Sequence, residues 1–262
     1  MTKGERSILH DTDLTVVHLV SASYGTGPVE QFADAYRRHD PGCPHRLLVL
    51  LSGIRADRAP QHLVALQGIE YDAMEVPRST IDLQSYRVAA AEVQTRRLCF
   101  LNSHSAPVSD GWLRRLDEAW RAPGVGLVGA TGSWESMGNA RPWRRWPEFP
   151  NAHLRTNAFL IERDLMTSLW WPTVTSKHRA WELESGRRSL TRQVQSRDLG
   201  VFVVGREGVF APEQWAVSHT FRSGGQSNLL VADNRTRQWA EADSRTREHL
   251  STLAWGSGGD SL

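Results

Sequence analysis

The sequence predicts an α/β fold with a mostly parallel central sheet and helices on both faces. Two observations support this prediction. Val- and Leu-rich runs without polar alternation, such as residues 14–23 and 45–53, are typical of strands that are buried on both faces. Segments with an apolar residue every three or four positions lie between these runs and predict amphipathic helices. Because strand and helix alternate through the first half, the connections are expected to be crossovers between parallel strands.

The predicted elements follow one another along a single domain of residues 1–262, with flexible tails at 1–12 and 256–262. Pro28 suits the first turn of the first helix, since its missing amide donor has no intrahelical partner there. No internal repeat is present. The predicted strands are 14–23, 45–53, 74–77, 97–103, 125–130, 157–161 and 201–205, and the predicted helices start at Pro28 or cover 58–67, 82–93, 112–120 and 186–197.

Composition excludes several classes of protein. No apolar run approaches the ~20 residues that span a bilayer, and the N-terminus lacks the apolar core of a signal peptide, so a cytoplasmic protein is expected. Two cysteines, Cys43 and Cys99, cannot form a disulfide framework or a Cys-rich zinc site. Of the 31 basic residues 29 are arginine, but they are spread along the chain among 29 acids. Without a basic block or a recognised motif, no nucleic-acid partner is expected.

Three common catalytic motifs are missing from the sequence, and a fourth does not follow the first predicted strand. No Gly-x-x-x-x-Gly-Lys-Ser/Thr occurs, and the first predicted strand is followed by SYGTG rather than Gly-x-Gly-x-x-Gly. Neither Gly-x-Ser-x-Gly nor His-Glu-x-x-His is found. P-loop NTPases, ordinary Rossmann dehydrogenases, α/β-hydrolases and zincins are therefore excluded as first choices.

Polar residues recur where the predicted strands end. One such residue alone indicates only a turn, but their recurrence at four strand ends predicts a ligand site, because open α/β sheets bind ligands at the carboxyl ends of their strands. These residues are Ser21, Ser23 and Tyr24 after the first strand, Ser52 after the second, Arg78 after the third, and Asn102, Ser103 and His104 after the fourth.

Residues 132–156 form an irregular segment that contains Trp134, Trp143 and Trp146. Loops of this length inside a compact domain often bind ligands, and indole faces suit a sugar ring. The segment is therefore predicted to be a ligand-binding loop. Two alternatives remain open: the indoles pack over the core, or Trp143 and Trp146 with the arginines between them contact a membrane surface or a partner protein.

The layout of residues 14–240 resembles the GT-A-type glycosyltransferases, and is most similar to small bacterial enzymes related to rhamnan synthesis proteins, which act in polysaccharide biosynthesis. In GT-A enzymes a helix leads into a strand that ends in Asp-x-Asp, which holds a divalent metal on the donor pyrophosphate. Here the helix is 82–93, and Asn102-Ser103-His104 stands at the motif position. The resemblance implies that the donor nucleotide contacts Ser21, Ser23, Tyr24, Ser52, Arg78, Asp82, Arg87, Asn102 and Ser103.

The same resemblance assigns the remaining site residues. Glu184 in WELESGRRSLTRQ stands where inverting members carry the general base, and is expected at a helix N-terminus, where the dipole favours its ionised form. Glu182 is the neighbouring candidate, and Glu184 as a plain helix-start carboxylate is the alternative. His104 and His219 are the candidate metal ligands; neutral ligands hold Mg²⁺ or Mn²⁺ weakly, so weak or absent metal dependence is expected. Arg155, His219 and Arg222 are expected at the diphosphate. The resemblance makes 132–156 the acceptor-side loop, with Trp134, Glu135, Trp143, Trp146, His153 and Asn157 expected at the acceptor.

The function implied is transfer of a hexosyl or deoxyhexosyl group from a nucleotide-diphosphate donor to a glycan or small-molecule acceptor, with inversion. The nucleotide sugar is a co-substrate, and no tightly bound cofactor is expected. The alternative is a catalytically inactive GT-A-like partner subunit that binds a nucleotide or glycan, which the missing Asp-x-Asp favours. The sequence leaves the base, the sugar, the acceptor and the oligomeric state open.

Overall fold

The computed structural model describes residues 13–55, 59–76, 82–137, 146–172 and 177–257, and it confirms the predicted α/β architecture. The strands are β1 (Leu14–Ser21), β2 (Arg46–Ser52), β3 (Asp72–Val76), β4 (Arg97–Leu101), β5 (Ala106–Pro107), β6 (Val125–Gly129), β7 (Gly132–Ser133), β8 (His153–Leu154), β9 (Ala158–Glu162), β10 (Gly200–Gly205), β11 (Gly208–Phe210) and β12 (Val231–Ala232).

Within the described residues, eight strands form one sheet in the order β3-β2-β1-β4-β9-β6-β10-β11. The neighbours β3, β2, β1 and β4 run parallel to one another, as do β6 and β10. Strand β9 is antiparallel to both β4 and β6, and β11 is antiparallel to β10. The sheet is therefore mostly parallel, with one reversed strand near its centre.

Helices cover both faces of this sheet, as predicted. Alternate residues of β1 enter opposite cores: Val17 and Leu19 pack in one apolar cluster, and Val16 and Val20 in the other. The helices are α1 (Gly27–Arg38), α2 (Ala59–Leu63), α3 (Asp82–Glu92), α4 (Trp112–Trp120), α5 (Arg163–Ser168), α6 (Lys177–Ser185), α7 (Leu190–Gln195), α8 (Asn234–Glu241) and α9 (Ser244–Trp255). None of the described helices is long and apolar enough to cross a membrane.

The predicted helix over 186–197 is shorter in the structure, where α7 covers only Leu190–Gln195 and a separate helix, α6, precedes it. Helix α6 ends at Ser185, and α7 starts only at Leu190. A side chain at Gly186 would come within 2.5 Å of the Glu182 carbonyl, so only glycine fits this tight exit from α6. The hydroxyl of Ser189 then accepts the Arg192 amide and starts α7. Glu184 consequently lies in the last turn of α6, not at a helix N-terminus.

The site is positioned by one edge of the sheet, where β1, β4 and β6 end and the reversed strand β9 begins. At this edge the amide of Asn102 donates to the Asn157 carbonyl over 2.9 Å. Two antiparallel pairs extend the walls: β7 with β8 follows β6 and precedes β9, and β5 with β12 connects the end of β4 to α8. The segment 132–156 thus contains a short strand pair instead of an entirely irregular loop.

Candidate functional site at the carboxyl edge of the sheet

A cleft of about 350 Å³ opens beside this edge. Its walls come from the β7–β8 pair, the last turn of α6, the segment that follows β11, and helices α8 and α9. Charged groups of both signs face one another across it. The charged and aromatic lining residues are Glu135, His153, Arg155, Trp181, Glu184, Phe221, Arg222 and Arg235.

Glu184 is held in the cleft by the segment that enters β9. Its Oε1 accepts a hydrogen bond from the Thr156 backbone amide over 3.1 Å. Glu182 is about 200° away around the helix and is not part of the lining, so Glu184 is the carboxylate that α6 presents to the cleft. A half-buried carboxylate with one backbone donor keeps free lone pairs on its second oxygen, as a general base requires.

His153 lies near Glu184 on β8 with a fixed tautomer. Its ring Nδ1 is 2.7 Å from the Asn151 carbonyl, so Nδ1 carries the proton and donates it there. Burial lowers the pKa of the imidazole, while the negative charge of Glu184 opposes that shift. The ring is therefore neutral at pH 7, and its Nε2 is a hydrogen-bond acceptor.

Two arginines share one aromatic ring at the other wall. The guanidinium carbon of Arg155 is 4.2 Å from the centre of the Phe221 ring, and that of Arg222 is 4.8 Å from it. Arg155 donates to the buried carboxylate of Asp233 over 2.6 Å. Arg222 lies 3.7 Å from a carboxylate oxygen of Glu135. Burial lowers the pKa of Arg222 to about 10, so the group stays charged at pH 7.

The turn after β4 forms the opposite end of the site. The Asn102 side-chain oxygen accepts the amide of His104 over 3.0 Å and the hydroxyl of Ser105 over 2.9 Å, which closes the turn. The ring of His104 lies 4.5 Å from that of Tyr24 after β1, and its carbonyl accepts Arg237 of α8 over 2.9 Å. Tyr24 is 48% exposed and offers an accessible aromatic face.

Asp82, at the start of α3, links the two ends electrostatically. Burial and the negative charge of Glu184 raise the pKa of Asp82 to about 6. Burial and the charge of Asp82 in turn raise the pKa of Tyr24. The structure therefore brings Tyr24, Asp82 and Glu184 into one electrostatic neighbourhood, although 160 residues of sequence separate the first from the last.

Several residues expected at the acceptor are part of the packed structure instead. Trp146 is 1% exposed, so it offers no face to a ligand. Trp134 packs edge-on against Trp255 at 5.5 Å, and its indole nitrogen donates to the Pro212 carbonyl. Asn157 is buried, and its side-chain oxygen accepts the Thr131 hydroxyl. None of these three residues lines the cleft, whereas Glu135 and His153 do, so the assignment of the three to the acceptor stays a prediction without support from the geometry.

The residues expected to contact the donor nucleotide differ in their exposure. Ser21 and Ser23 are joined by a 3.3 Å hydrogen bond at the exposed end of β1, while Ser52 is buried opposite Ser21, and Ser103 is buried as well. Arg87 is exposed on α3, away from the helix face that is buried. Arg78 and Trp143 lie outside the described residues.

Few of the described side chains at the site could act as metal ligands. Over the parts of the chain that the structure describes, no three His, Cys, Asp or Glu side chains converge as ligands. His219 is exposed with a left-handed backbone (φ 55°), and its ring covers Gly224, where a Cβ would come within 2.2 Å of it. The amide oxygen of Asn102 is occupied by its own turn. The described side chains do not fit a metal site made of protein ligands alone.

Four residues of the site were not identified from the sequence. They are Phe221 and, around the start of α8, Asp233, Arg235 and Arg237. The Asp-Asn-Arg-Thr stretch at 233–236 carries a helix-start signal, since Asp233 accepts the amides of Arg235 and Thr236. Helix α8 was nevertheless not predicted.

No protein-family model and no curated protein matches the sequence. Solved structures resemble it at low identity. Glucosyl-3-phosphoglycerate synthase from Mycobacterium tuberculosis, with Mn²⁺, UDP and phosphoglyceric acid, has a TM-score of 0.42 at 17% identity, over 61% of this chain and 59% of that chain. A mannosyltransferase from Pyrobaculum calidifontis, with GDP-mannose and Mn²⁺, has a TM-score of 0.47 at 12% identity, over 79% and 59%. CMP:2-keto-3-deoxy-manno-octonic acid synthetase with CTP has a TM-score of 0.42 at 9% identity, over 66% and 85%.

This chain therefore spans about three fifths of the length of each of the first two proteins. Those two are sugar transferases bound to a nucleotide or a nucleotide sugar. The similarity of this chain to the rhamnan-related enzymes stays a prediction.

Proposed function

We propose that this protein is a glycosyltransferase that moves a sugar from a nucleotide-diphosphate donor to an acceptor hydroxyl, with inversion at the anomeric carbon. The observation that carries the proposal is the position of Glu184. Its carboxylate faces a cleft at the carboxyl edge of a mostly parallel sheet, which is where such sheets bind ligands. On the far side, the turn after β4 lies beside Tyr24 and Arg237.

The reaction needs a base on the acceptor side. Glu184 takes the proton of the acceptor hydroxyl, and the oxygen attacks the anomeric carbon while the bond from that carbon to the diphosphate breaks. Thr156 fixes one carboxylate oxygen, so the other is free to accept the proton. Attack from the face opposite the leaving group inverts the anomeric carbon.

The leaving nucleoside diphosphate carries developing negative charge, which a fixed cation can stabilise. Arg237 is held against the turn after β4 by its hydrogen bond to the His104 carbonyl. We assign to Arg237 the stabilisation of the leaving diphosphate. Arg155 pairs with Asp233, whose negative charge also acts on His104, although burial and the positive charge of Arg237 lower the pKa of His104 overall.

Thermal unfolding with UDP, GDP, dTDP and CDP, each with and without Mn²⁺, tests the proposal. A ligand at 100 times its Kd stabilises the folded state by about 2.7 kcal/mol, which shifts Tm by roughly 5–10 °C in a chain of this size. A selective shift with one nucleotide, followed by its release from the matching nucleotide sugar, is expected. The absence of a shift with all four nucleotides contradicts the proposal.

A second candidate function is non-catalytic binding of a nucleotide or glycan, which is favoured by the neutral Asn102-Ser103-His104 at the position of the acidic motif. A nucleotide-dependent shift in Tm without release of nucleotide from any nucleotide sugar would select this candidate.

A further inference from the structure

Arg222 is a buried cation with few hydrogen-bond partners. Its side chain is 5% exposed, yet Nη1 has only the Leu250 carbonyl at 3.4 Å and the Glu135 carboxylate at 3.7 Å, beyond hydrogen-bonding distance. Its Nε is buried and has no hydrogen-bond partner among the described residues. A guanidinium has five N–H donors, and burying them unpaired is unfavourable.

The backbone around Arg222 is fixed in a conformation that non-glycine residues rarely adopt. Its φ is 48°, in the left-handed region. Two side chains hold the peptide in place: Gln226 accepts its amide over 3.1 Å, and Ser251 donates to its carbonyl over 2.8 Å. The fold thus fixes a charged side chain in the wall of the cleft at an energetic disadvantage, which an added anion would relieve.

Charge around Arg222 favours an anion as well. Arg155 and Arg235 line the same cleft. Asp233 neutralises Arg155, whereas Arg235 forms no ion pair with any residue that the structure describes and has Gln238 as its side-chain partner, at 3.4 Å. Glu135 is half exposed and only loosely paired with Arg222. The wall formed by Arg222 and Arg235 therefore keeps unpaired guanidinium donors.

We propose that Arg222 and Arg235 form a subsite for an anionic group, a carboxylate or a phosphate, on the acceptor. The acceptor part of this statement rests on the proposed function. Planar guanidinium donors match both anions, and an acceptor anchored there presents its hydroxyl to Glu184 in the same cleft.

The position of the subsite distinguishes it from the donor end. Tyr24, Asn102 and His104 do not contribute to the lining of this cleft, and the donor end has its own cation in Arg237. Arg235 and Arg237 are about 200° apart around α8, so one helix serves both ends. The sequence-based assignment of Arg222 to the diphosphate is therefore replaced here by an assignment to the acceptor.

Inorganic phosphate and malonate, titrated at constant ionic strength while Tm is followed, test the subsite. The wild type is expected to show a saturable rise in Tm. Arg222→Met is expected to weaken the apparent affinity at least ten-fold, and Arg235→Gln, at an exposed position, gives the same test without altering the core. Arg245→Gln, at an exposed position in α9 outside the cleft lining, is the matched control and retains the phosphate response. Equal phosphate affinity in the wild type and in both cleft variants overturns the subsite.

Repeating the titration with saturating nucleotide identifies the source of the anion. For an acceptor subsite, phosphate and nucleotide raise Tm additively, and Arg222→Met leaves nucleotide affinity unchanged. Competition between the two, with loss of nucleotide affinity in Arg222→Met, assigns the cluster to the diphosphate and overturns the acceptor assignment. If no nucleotide binds the wild type, the proposed function fails, while the phosphate series still decides whether Arg222 and Arg235 hold an anion.

Discussion

The Oε1 of Glu184 accepts the Thr156 backbone amide over 3.1 Å, and this contact ties the last turn of α6 to the chain that enters β9. Because β9 is the reversed strand of the central sheet, its first residues lie at the edge where the parallel strands end. A strand of the usual orientation would put its last residues there instead. The reversal of β9 is thus what brings residues 153–157 and α6 to one site.

Glu184→Gln should reduce turnover by about 10²- to 10⁴-fold while leaving nucleotide affinity unchanged, since the amide still accepts the Thr156 hydrogen bond but cannot take a proton. Release of nucleotide from the matching nucleotide sugar measures turnover, and the Tm shift measures binding. Glu182→Gln, two residues earlier and outside the cleft lining, is the control and should keep wild-type turnover. Full activity in Glu184→Gln would remove Glu184 from the mechanism.

The same substitution should also lower the pKa of Asp82. Burial and the charge of Glu184 raise that pKa to about 6, and Glu184→Gln removes the second cause while leaving the first. The titration of the Asp82 carboxyl carbon, followed by ¹³C NMR and assigned with Asp82→Asn, should move to lower pH in the variant. An unchanged midpoint would show that the two carboxylates do not interact.

The central strands could be predicted because continuous apolar runs such as those of β1 and β2 are typical of strands that are buried on both faces. The direction of β9 could not, since an apolar run reads the same in both orientations. Helices α8 and α9 were missed because their buried residues are few: Thr236 and Trp239 in one, Ala254 and Trp255 in the other.

Some of the charged residues that line the cleft were identified from the sequence. Glu184, Glu135 and Arg222 line the cleft, as charged residues near a strand edge tend to do. The sequence does not distinguish an indole that binds a sugar ring from one that packs in the core. In the structure Trp146 is buried and Trp134 packs against Trp255. Asp233 and Arg235 lie beyond the predicted elements, so no strand end marked them.

Arg155→Met should destabilise the protein by about 3–5 kcal/mol, because it leaves the Asp233 carboxylate buried without its cation. Urea denaturation measures the change. Arg46→Met is the matched control: its ion pair with Asp72 has the same 2.6 Å separation but is exposed, so it should cost about 1 kcal/mol or less. Equal effects of the two substitutions would contradict the account of Asp233.

The Arg155–Asp233 pair also gives a pH dependence. Burial raises the pKa of Asp233, but Arg155 and the hydrogen bonds of Thr236 outweigh burial and hold it below its usual 3.8. The unfolded chain therefore binds the proton first, and the stabilisation is present above 3.8 and is lost as pH falls through the folded pKa. Because the variant lacks the cation that lowers this pKa, the free energies of unfolding of the wild type and Arg155→Met should converge below pH 3.8.

His18→Leu should remove an acid sensitivity that lies in the core of β1. His18 is fully buried against Phe32 at 3.8 Å, and neither ring nitrogen has a hydrogen-bond partner among the described residues. Burial lowers its pKa from 6.5 to about 3. Between these values the unfolded chain binds the proton and the folded chain does not, so stability falls as pH drops below 6.5.

From pH 7.5 to 5.0, His18 should take about 2 kcal/mol from the wild-type free energy of unfolding, at ~1.4 kcal/mol per pH unit. Urea titrations measure the free energy of unfolding at pH 7.5 and at pH 5.0. The loss of this free energy between the two pH values should be smaller by about 2 kcal/mol in His18→Leu than in the wild type. His249→Leu, at an exposed position in α9, should keep the wild-type difference. If His18→Leu loses as much stability as the wild type, then His18 must be protonated in the folded state, and it would need a partner or a water molecule that its apolar surroundings do not supply.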